Sequence, residues 1–275
     1  MSSEQILIIE SGRRSQGYWR DLWAHREMLL FLAWRDILVR YKQTLIGTTW
    51  VIIRPLLTML VFSVVFGRLA GLPSNGMPYP LLVLAGMLPW FFFSSVLTEC
   101  SNSLVGNSNL LSKVYFPRLI VPISSLLTCL VDYLISCLLL VAMLLWYSHW
   151  PDWRILFLPF FSLFAAIISF GLGLWAAALN VRYRDFRHLI PFVLQLGIYI
   201  SPVAYATTLV PEEWRFLYSL NPLVGVIDGF RWCLLGQDTH LYWPGFAVSF
   251  VGSLVVLITG IWYFRKSEAS FADVI

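Results

Sequence analysis

Charge is what this chain has least of. Of its 275 residues only 12% are Asp, Glu, Lys or Arg, while 59% are hydrophobic. A soluble domain carries roughly a quarter charged residues. A water-facing surface cannot be assembled from so few, which excludes a soluble enzyme, a nucleic-acid binder and a disordered chain. Lysine occurs only at Lys42, Lys113 and Lys266. Motifs for common chemistries are missing too. There is no GxxxxGK[ST] loop to cradle ATP phosphates, no HExxH, no GxSxG and no paired-cysteine zinc pattern. Cys100, Cys129, Cys137 and Cys233 lie in or beside apolar runs without CxxC spacing, and read as reduced packing residues. The four histidines are scattered. Alternating strand patterning is absent, which excludes an outer-membrane barrel. Glu4 and Glu10 bracket an apolar patch too brief for the core of a secretory signal.

What is present is a series of long apolar runs, and the mean hydropathy is +0.74. Leu69–Thr98, Tyr133–Pro151, Ile155–Val181, His188–Pro211 and Thr239–Phe264 contain no Asp, Glu, Lys or Arg, and Thr44–Gly67 contains only Arg54. Backbone groups in lipid must be satisfied internally, so such runs predict helices. The expected fold is an all-α integral membrane protein. Six spans are predicted at about 46–67, 80–104, 119–147, 155–180, 189–207 and 243–264. The chain divides into a cytoplasmic N-terminus (1–45), a six-helix transmembrane domain (46–265) and a short cytoplasmic tail (266–275). The basic residues set the orientation. Fourteen Lys and Arg fall in the N-terminal segment, the 105–118 and 181–188 loops and the tail, against four in the opposite flanks. That split predicts both termini in the cytoplasm.

Two regions are apolar without spanning. In 17–45, Trp19, Leu22, Trp23, Leu30, Trp34, Ile37 and Tyr41 recur at helical spacing, with Asp21, His25, Arg35, Asp36 and Lys42 opposite; Arg26 and Glu27 intrude on the apolar side. The pattern predicts one amphipathic helix in the membrane interface, either an anchor or a lever that touches a cytoplasmic partner. In 208–242, an apolar stretch from Leu223 to Leu235 is bracketed by Asn221-Pro222 and Gly236. Thirteen residues are too few to span, which favours a re-entrant or interfacial helical hairpin between spans five and six.

Charges inside spans are costly and usually functional. Arg54 lies about two turns into the first span, where its stem can snorkel to the interface. Glu99 and Asp132 are the acidic residues within spans two and three. Each is expected to pair with Arg54 or another basic group, to line an aqueous path, or to contact substrate. Trp90-Phe91-Phe92-Phe93 lies within span two, and such rings serve either as interfacial packing or as stacking surfaces for sugars.

Several short motifs occur in order along the chain. The first is Trp34-Arg35-Asp36-Ile37-Leu38-Val39-Arg40-Tyr41-Lys42-Gln43-Thr44-Leu45-Ile46-Gly47, followed by Trp50 and Pro55. Lys113-Val114-Tyr115-Phe116-Pro117-Arg118 with Pro122 comes next, and then Asn180-Val181-Arg182-Tyr183-Arg184-Asp185. Ser201-Pro202-Val203, Asn221-Pro222 and Gly229-Phe230-Arg231 complete the set. Together they resemble the ABC-2 type permeases that export polysaccharides, most closely the O-antigen (Wzm-type) branch. Capsule and teichoic-acid permeases look similar.

The resemblance implies a homodimer in the bacterial inner membrane, with its pathway between the two copies. It implies two copies of a separate, Wzt-like ATPase subunit that binds the ATP, so this chain needs no cofactor. The implied cargo is a polysaccharide on undecaprenyl diphosphate, reached from among membrane lipids. Coupling to the ATPase would fall on Asn109, Leu110, Leu111, Lys113, Tyr115 and Arg118, with Trp34, Arg35, Arg40, Tyr41 and Lys42 of the interface helix. Arg54, Trp90, Phe91, Glu99, Asp132, Arg182 and Arg184 are candidates for the substrate path or a lateral gate formed by spans one and five. Segment 211–236 would close the outer mouth. Two rivals stay open: an ABC-2 drug or lipid exporter, and an integral membrane enzyme of glycan assembly.

Overall fold

The computed structural model describes residues 17–42, 49–74, 76–236, 241–268 and 271, and among these all regular structure is helical. Two helices precede the first span, α1 (Tyr18–Ala24) and α2 (Arg26–Lys42). Then come α3 (Thr49–Phe62), extended by a π-helical stretch Ser63–Leu69, α4 (Tyr79–Gly106), the single turn α5 (Ser108–Leu111) and α6 (Ile120–Trp146). After these follow α7 (Leu158–Arg182, led in by a 3-10 turn from Trp153), α8 (Phe186–Ile200), α9 (Glu212–Tyr218), α10 (Pro222–Leu235) and α11 (Trp243–Ser267).

Among the described residues five helical segments are long and apolar enough to cross a membrane: Thr49–Leu69, Tyr79–Gly106, Ile120–Trp146, Trp153–Arg182 and Trp243–Ser267. Their ends lie within a few residues of the expected spans one, two, three, four and six. The start of the first expected span, at Ile46 and Gly47, lies outside the described residues. In α4, 78% of the apolar window is buried, against 17–33% in the other four, so α4 is the axis of the molecule. It packs on α7, α6, α10, α3 and α8. Small residues permit the tightest seams. A Cβ on Gly173 would sit 2.8 Å from Cys100 of α4, and one on Gly260 of α11 would sit 2.5 Å from the Gly171 carbonyl oxygen of α7.

The expected fifth span, 189–207, is the one the structure redraws. The helix α8 has 15 residues, about 22 Å at 1.5 Å per residue, short of a ~30 Å hydrocarbon core. It stops because Ser201 precedes Pro202, and a residue before proline is driven into extended backbone; Ser201 has ψ 151°. The chain then runs irregularly through a stretch in which Ser201, Val203, Ala204 and Ala206 are buried.

The N-terminal region also differs from a single helix over 17–45. It breaks between α1 and α2 at His25, whose Nδ1 lies 2.8 Å from the Asp21 carbonyl oxygen. Leu32 and Ala33, not the tryptophans, face the protein. Trp19, Trp23, Leu30 and Trp34 all point away from it. Between α8 and α11 lie two helices, α9 and α10. The Asn221 side chain caps α10 by accepting from the Leu223 N–H at 3.1 Å, and Gly236 ends it at φ +82°. Eleven of the fourteen α10 residues are buried, against α4, α7 and α11.

The bundle has two distinct ends. At one, the C-termini of α4, α7 and α11 meet the start of α6 around Leu104, Phe116, Ile120, Val181 and Phe264. Nearly all the basic loop residues gather there. The opposite end holds the irregular 201–206 stretch, α9 and α10.

Candidate functional site

The two acidic residues within spans come together at one place. The helix α2 rises from the basic end along α4 and α6. Its Arg35 donates to Asn107 Oδ1 (2.9 Å) at the end of α4 and to its neighbour Asp36 (2.7 Å). Two turns further in, the Arg40 guanidinium donates to Glu99 Oε1 of α4 (2.7 Å) and to Asp132 Oδ2 of α6. The Tyr41 hydroxyl donates to the other Asp132 oxygen. Burial works to lower the Arg40 pKa, but Glu99 and then Asp132 outweigh it and hold the guanidinium firmly protonated. Burial, followed by the bond to Asp132, pushes the Tyr41 hydroxyl up. These bonds tie α2 to both α4 and α6, which also pack on each other. The basic partner of Glu99 and Asp132 is Arg40, not Arg54.

Arg54 instead lies with its guanidinium 5.1 Å over the Phe91 ring, on an exposed face of α3. Phe91 begins the uncovered stripe of α4, continued by Ser94, Ser95, Thr98, Glu99 and Asn102, while the rest of this stretch is buried. The central helix is therefore polar where its own chain leaves it open. Trp90 does not join that stripe. It is buried in the seam with α8, so close that a Cβ on Gly197 would meet its ring at 2.6 Å.

The coupling candidates split into a free tip and a held base. Asn109, Lys113, Val114 and Tyr115 are exposed, Tyr115 by 70%. Leu110 and Leu111 are half-buried, and Phe116 is fully packed. Arg118 is engaged within the chain. Its backbone N–H donates to Glu268 Oε1 (2.8 Å), and its guanidinium donates to the Glu268 carbonyl. Burial pushes the Glu268 carboxyl up, opposed by the Arg118 N–H and the Tyr18 hydroxyl. Arg182, Arg184 and Arg187 are exposed at the turn between α7 and α8. In the interface helix Trp34 and Lys42 are exposed, whereas Arg35, Arg40 and Tyr41 point inward.

A second buried arginine was not among the expected site residues. Arg231 of α10 donates to the carbonyls of Tyr205 (2.7 Å), Val203 (2.9 Å) and Leu82 (3.4 Å). Nearby, Tyr79 donates to the Ala204 carbonyl (2.5 Å), and Thr207 donates to Asp228 Oδ1 (2.6 Å). Arg231 and Tyr79 thus satisfy the carbonyls of Val203, Ala204 and Tyr205 in the irregular stretch, as buried polar groups require. The signal was present in the sequence: Asp228 and Arg231, three residues apart, are the charges of an otherwise apolar helix.

The sequence profile described as ABC-2 type transporter matches residues 27–235. The chain belongs to the ABC-2 type transporter family. Relatives within this family match over almost the whole length. An O-antigen export system permease protein RfbA of Klebsiella pneumoniae is 25% identical over 250 residues, 90% of this chain and 95% of the relative. The protein of the same name from Myxococcus xanthus is 27% identical over 256 residues, 92% and 97% of the two chains. A polysialic acid transport protein KpsM of Escherichia coli is 24% identical over 246 residues, 87% and 92%. The ABC-2 match spans α2 through α10, and so includes both arginine clusters.

Proposed function

We propose that the protein is the permease subunit of an ATP-driven exporter, carrying a polysaccharide linked to undecaprenyl diphosphate across the bacterial inner membrane. It is a transport subunit of the ABC-2 type and not an enzyme. The observation that carries the reading is the end-to-end similarity to permeases named for O-antigen export and polysialic acid transport, which runs over 87–92% of this chain. Two copies of the chain would face each other across that stripe, with Arg54 and Phe91 on its flank. ATP would be hydrolysed by two copies of a separate Wzt-like subunit seated on the basic end, against the exposed Lys113–Tyr115 tip and α1.

In this reading the basic end is cytoplasmic, following the distribution of Lys and Arg. The short α8 and the buried 201–206 stretch together make the fifth of six crossings. Irregular backbone at that depth is tolerated because Arg231 and Tyr79 satisfy its carbonyls. The α9–α10 pair would close the far mouth, and the outward tryptophans of α1 and α2 would rest in the interface. Arg182, Arg184 and Arg187 would attract anionic headgroups or the carrier diphosphate.

The test is deletion of the gene in its native host, with complementation. Lipid-linked glycan should build up inside while the surface glycan disappears. Normal surface glycan without internal build-up would sink the reading, and a drug-efflux defect with intact glycan would favour a different cargo.

A further inference from the structure

We propose that Glu268 and Phe271, which follow α11, form a clasp, tying the Lys113–Arg118 loop and α1 to the last span so that all three move as one body. The inference rests on the reading above that this loop faces the ATPase.

One carboxylate oxygen joins three elements. Glu268 Oε1 accepts the Arg118 backbone N–H at 2.8 Å and the Tyr18 hydroxyl at 3.4 Å. The Arg118 guanidinium returns to the Glu268 carbonyl and lies 5.9 Å over the Phe271 ring. Phe271 is 2% exposed and packs edge-on against Phe264 of α11, with ring centroids 5.4 Å apart. Arg265 lies over Tyr18 (4.4 Å) and Trp19 (5.9 Å). None of the α1 residues is fully buried, so these contacts with the tail hold α1 at its Tyr18 end.

The geometry converts a local push into a shared motion. The loop tip is exposed, but its base at Phe116, Pro117 and Leu119 is packed. Arg118 is the first residue past Pro117, which has no N–H, and Glu268 takes the amide that follows it. Force on Lys113 or Tyr115 therefore reaches a base bonded to α11, and through the same carboxylate reaches α1. Without the Glu268 carboxylate the loop would keep its covalent link to α6 and the Arg118 guanidinium contacts, but would lose the bond to the Arg118 amide and, through the same oxygen, the bond to Tyr18 of α1.

The experiment uses the full permease assembled with its ATPase subunit. Glu268→Ala, Phe271→Ala and Tyr18→Phe are compared with wild type, and Lys113→Glu serves as the tip control. Hydrogen exchange is followed at the peptide containing Arg118 and in α1, together with ATPase co-purification and surface glycan. Glu268→Ala should speed exchange at Arg118 about 10-fold, the loss of one charge-assisted bond. The ATPase should still co-purify, while surface glycan falls several-fold. Tyr18→Phe should speed exchange in α1 only, with a smaller export loss. Unchanged exchange at Arg118, or full export in Glu268→Ala, overturns the clasp. Should Glu268→Ala fail to accumulate, Tyr18→Phe decides: unchanged exchange in α1 overturns it. If Lys113→Glu lowers export but Glu268→Ala does not, only the clasp fails. If Lys113→Glu also leaves ATPase binding and export intact, the placement of the ATPase fails first.

Discussion

Among the described residues two arginines reach inward, Arg231 fully buried and Arg40 partly buried toward the opposite end, and they are satisfied in opposite ways. Arg231 is 3% exposed and donates to three backbone carbonyls, two of them in a stretch that makes no helix. Arg40 has a side chain 29% exposed and donates to two carboxylates on two different helices. Carbonyls of a fixed backbone have nowhere else to turn, so Arg231 is a permanent staple. Carboxylates on flexible side chains can release an arginine and take it back without any change in backbone. The Arg231 end is built to stay closed up, and the Arg40 end is built to be opened and remade. Functional motion therefore belongs at the end that bears the basic loops.

The sharpest way to break this comparison is to remove Arg231. Arg231→Met should leave three buried carbonyls unpaired and cost about 3–5 kcal/mol, enough to lower accumulation in the membrane severely. Thermal unfolding of the purified permease in detergent checks it, and a melting temperature within a degree of wild type would contradict the staple. Removing Arg40 should cost less. Arg40→Met leaves Glu99 and Asp132 facing each other, but Glu99 is nearly half exposed, and about 1–2 kcal/mol is expected after that screening. Adding Glu99→Gln and Asp132→Asn should restore most of it, and a triple variant no more stable than the single one would show that the three groups do not act as a unit.

Two smaller effects sharpen the contrast. Asn221→Ala removes the cap of α10 and should cost about 1 kcal/mol, read by the same melting measurement. Arg35→Ala removes a half-exposed contact to Asn107 and should cost about 0.5 kcal/mol. A reversed order of these two would mean that the basic end is the more rigid one.

The long elements were legible because scarce charge delimits them. Charge-free runs located α4, α6, α7 and α11 closely, since lipid leaves an apolar run no alternative to a helix. The fifth run misled for the same reason. From His188 to Pro211 it is unbroken in hydropathy, and Ser201-Pro202 cuts the helix inside it, where steric restriction outweighs apolarity. The pairing of Glu99 and Asp132 with Arg40 was hidden because sequence alone does not say how far α2 climbs along α4. Arg54 seemed the nearer cation by position, yet it lies over Phe91, about two helical turns of α4 away from Glu99. Arg231 was counted as a loop charge because α10 is too short to span, although it is as buried as any span. Nothing in a polar tail announced that Glu268 would accept an amide 150 residues earlier.

The account turns on whether the Arg40 clamp serves transport and not only folding. The most direct measurement is glycan exported per folded permease molecule in cells carrying Arg40→Met with Glu99→Gln and Asp132→Asn. This variant should fold nearly as well as wild type. Export per molecule is expected to fall about 10-fold, the scale of one lost coupling contact of ~1.4 kcal/mol. Export per molecule equal to wild type would contradict the account and leave the clamp as ordinary structure.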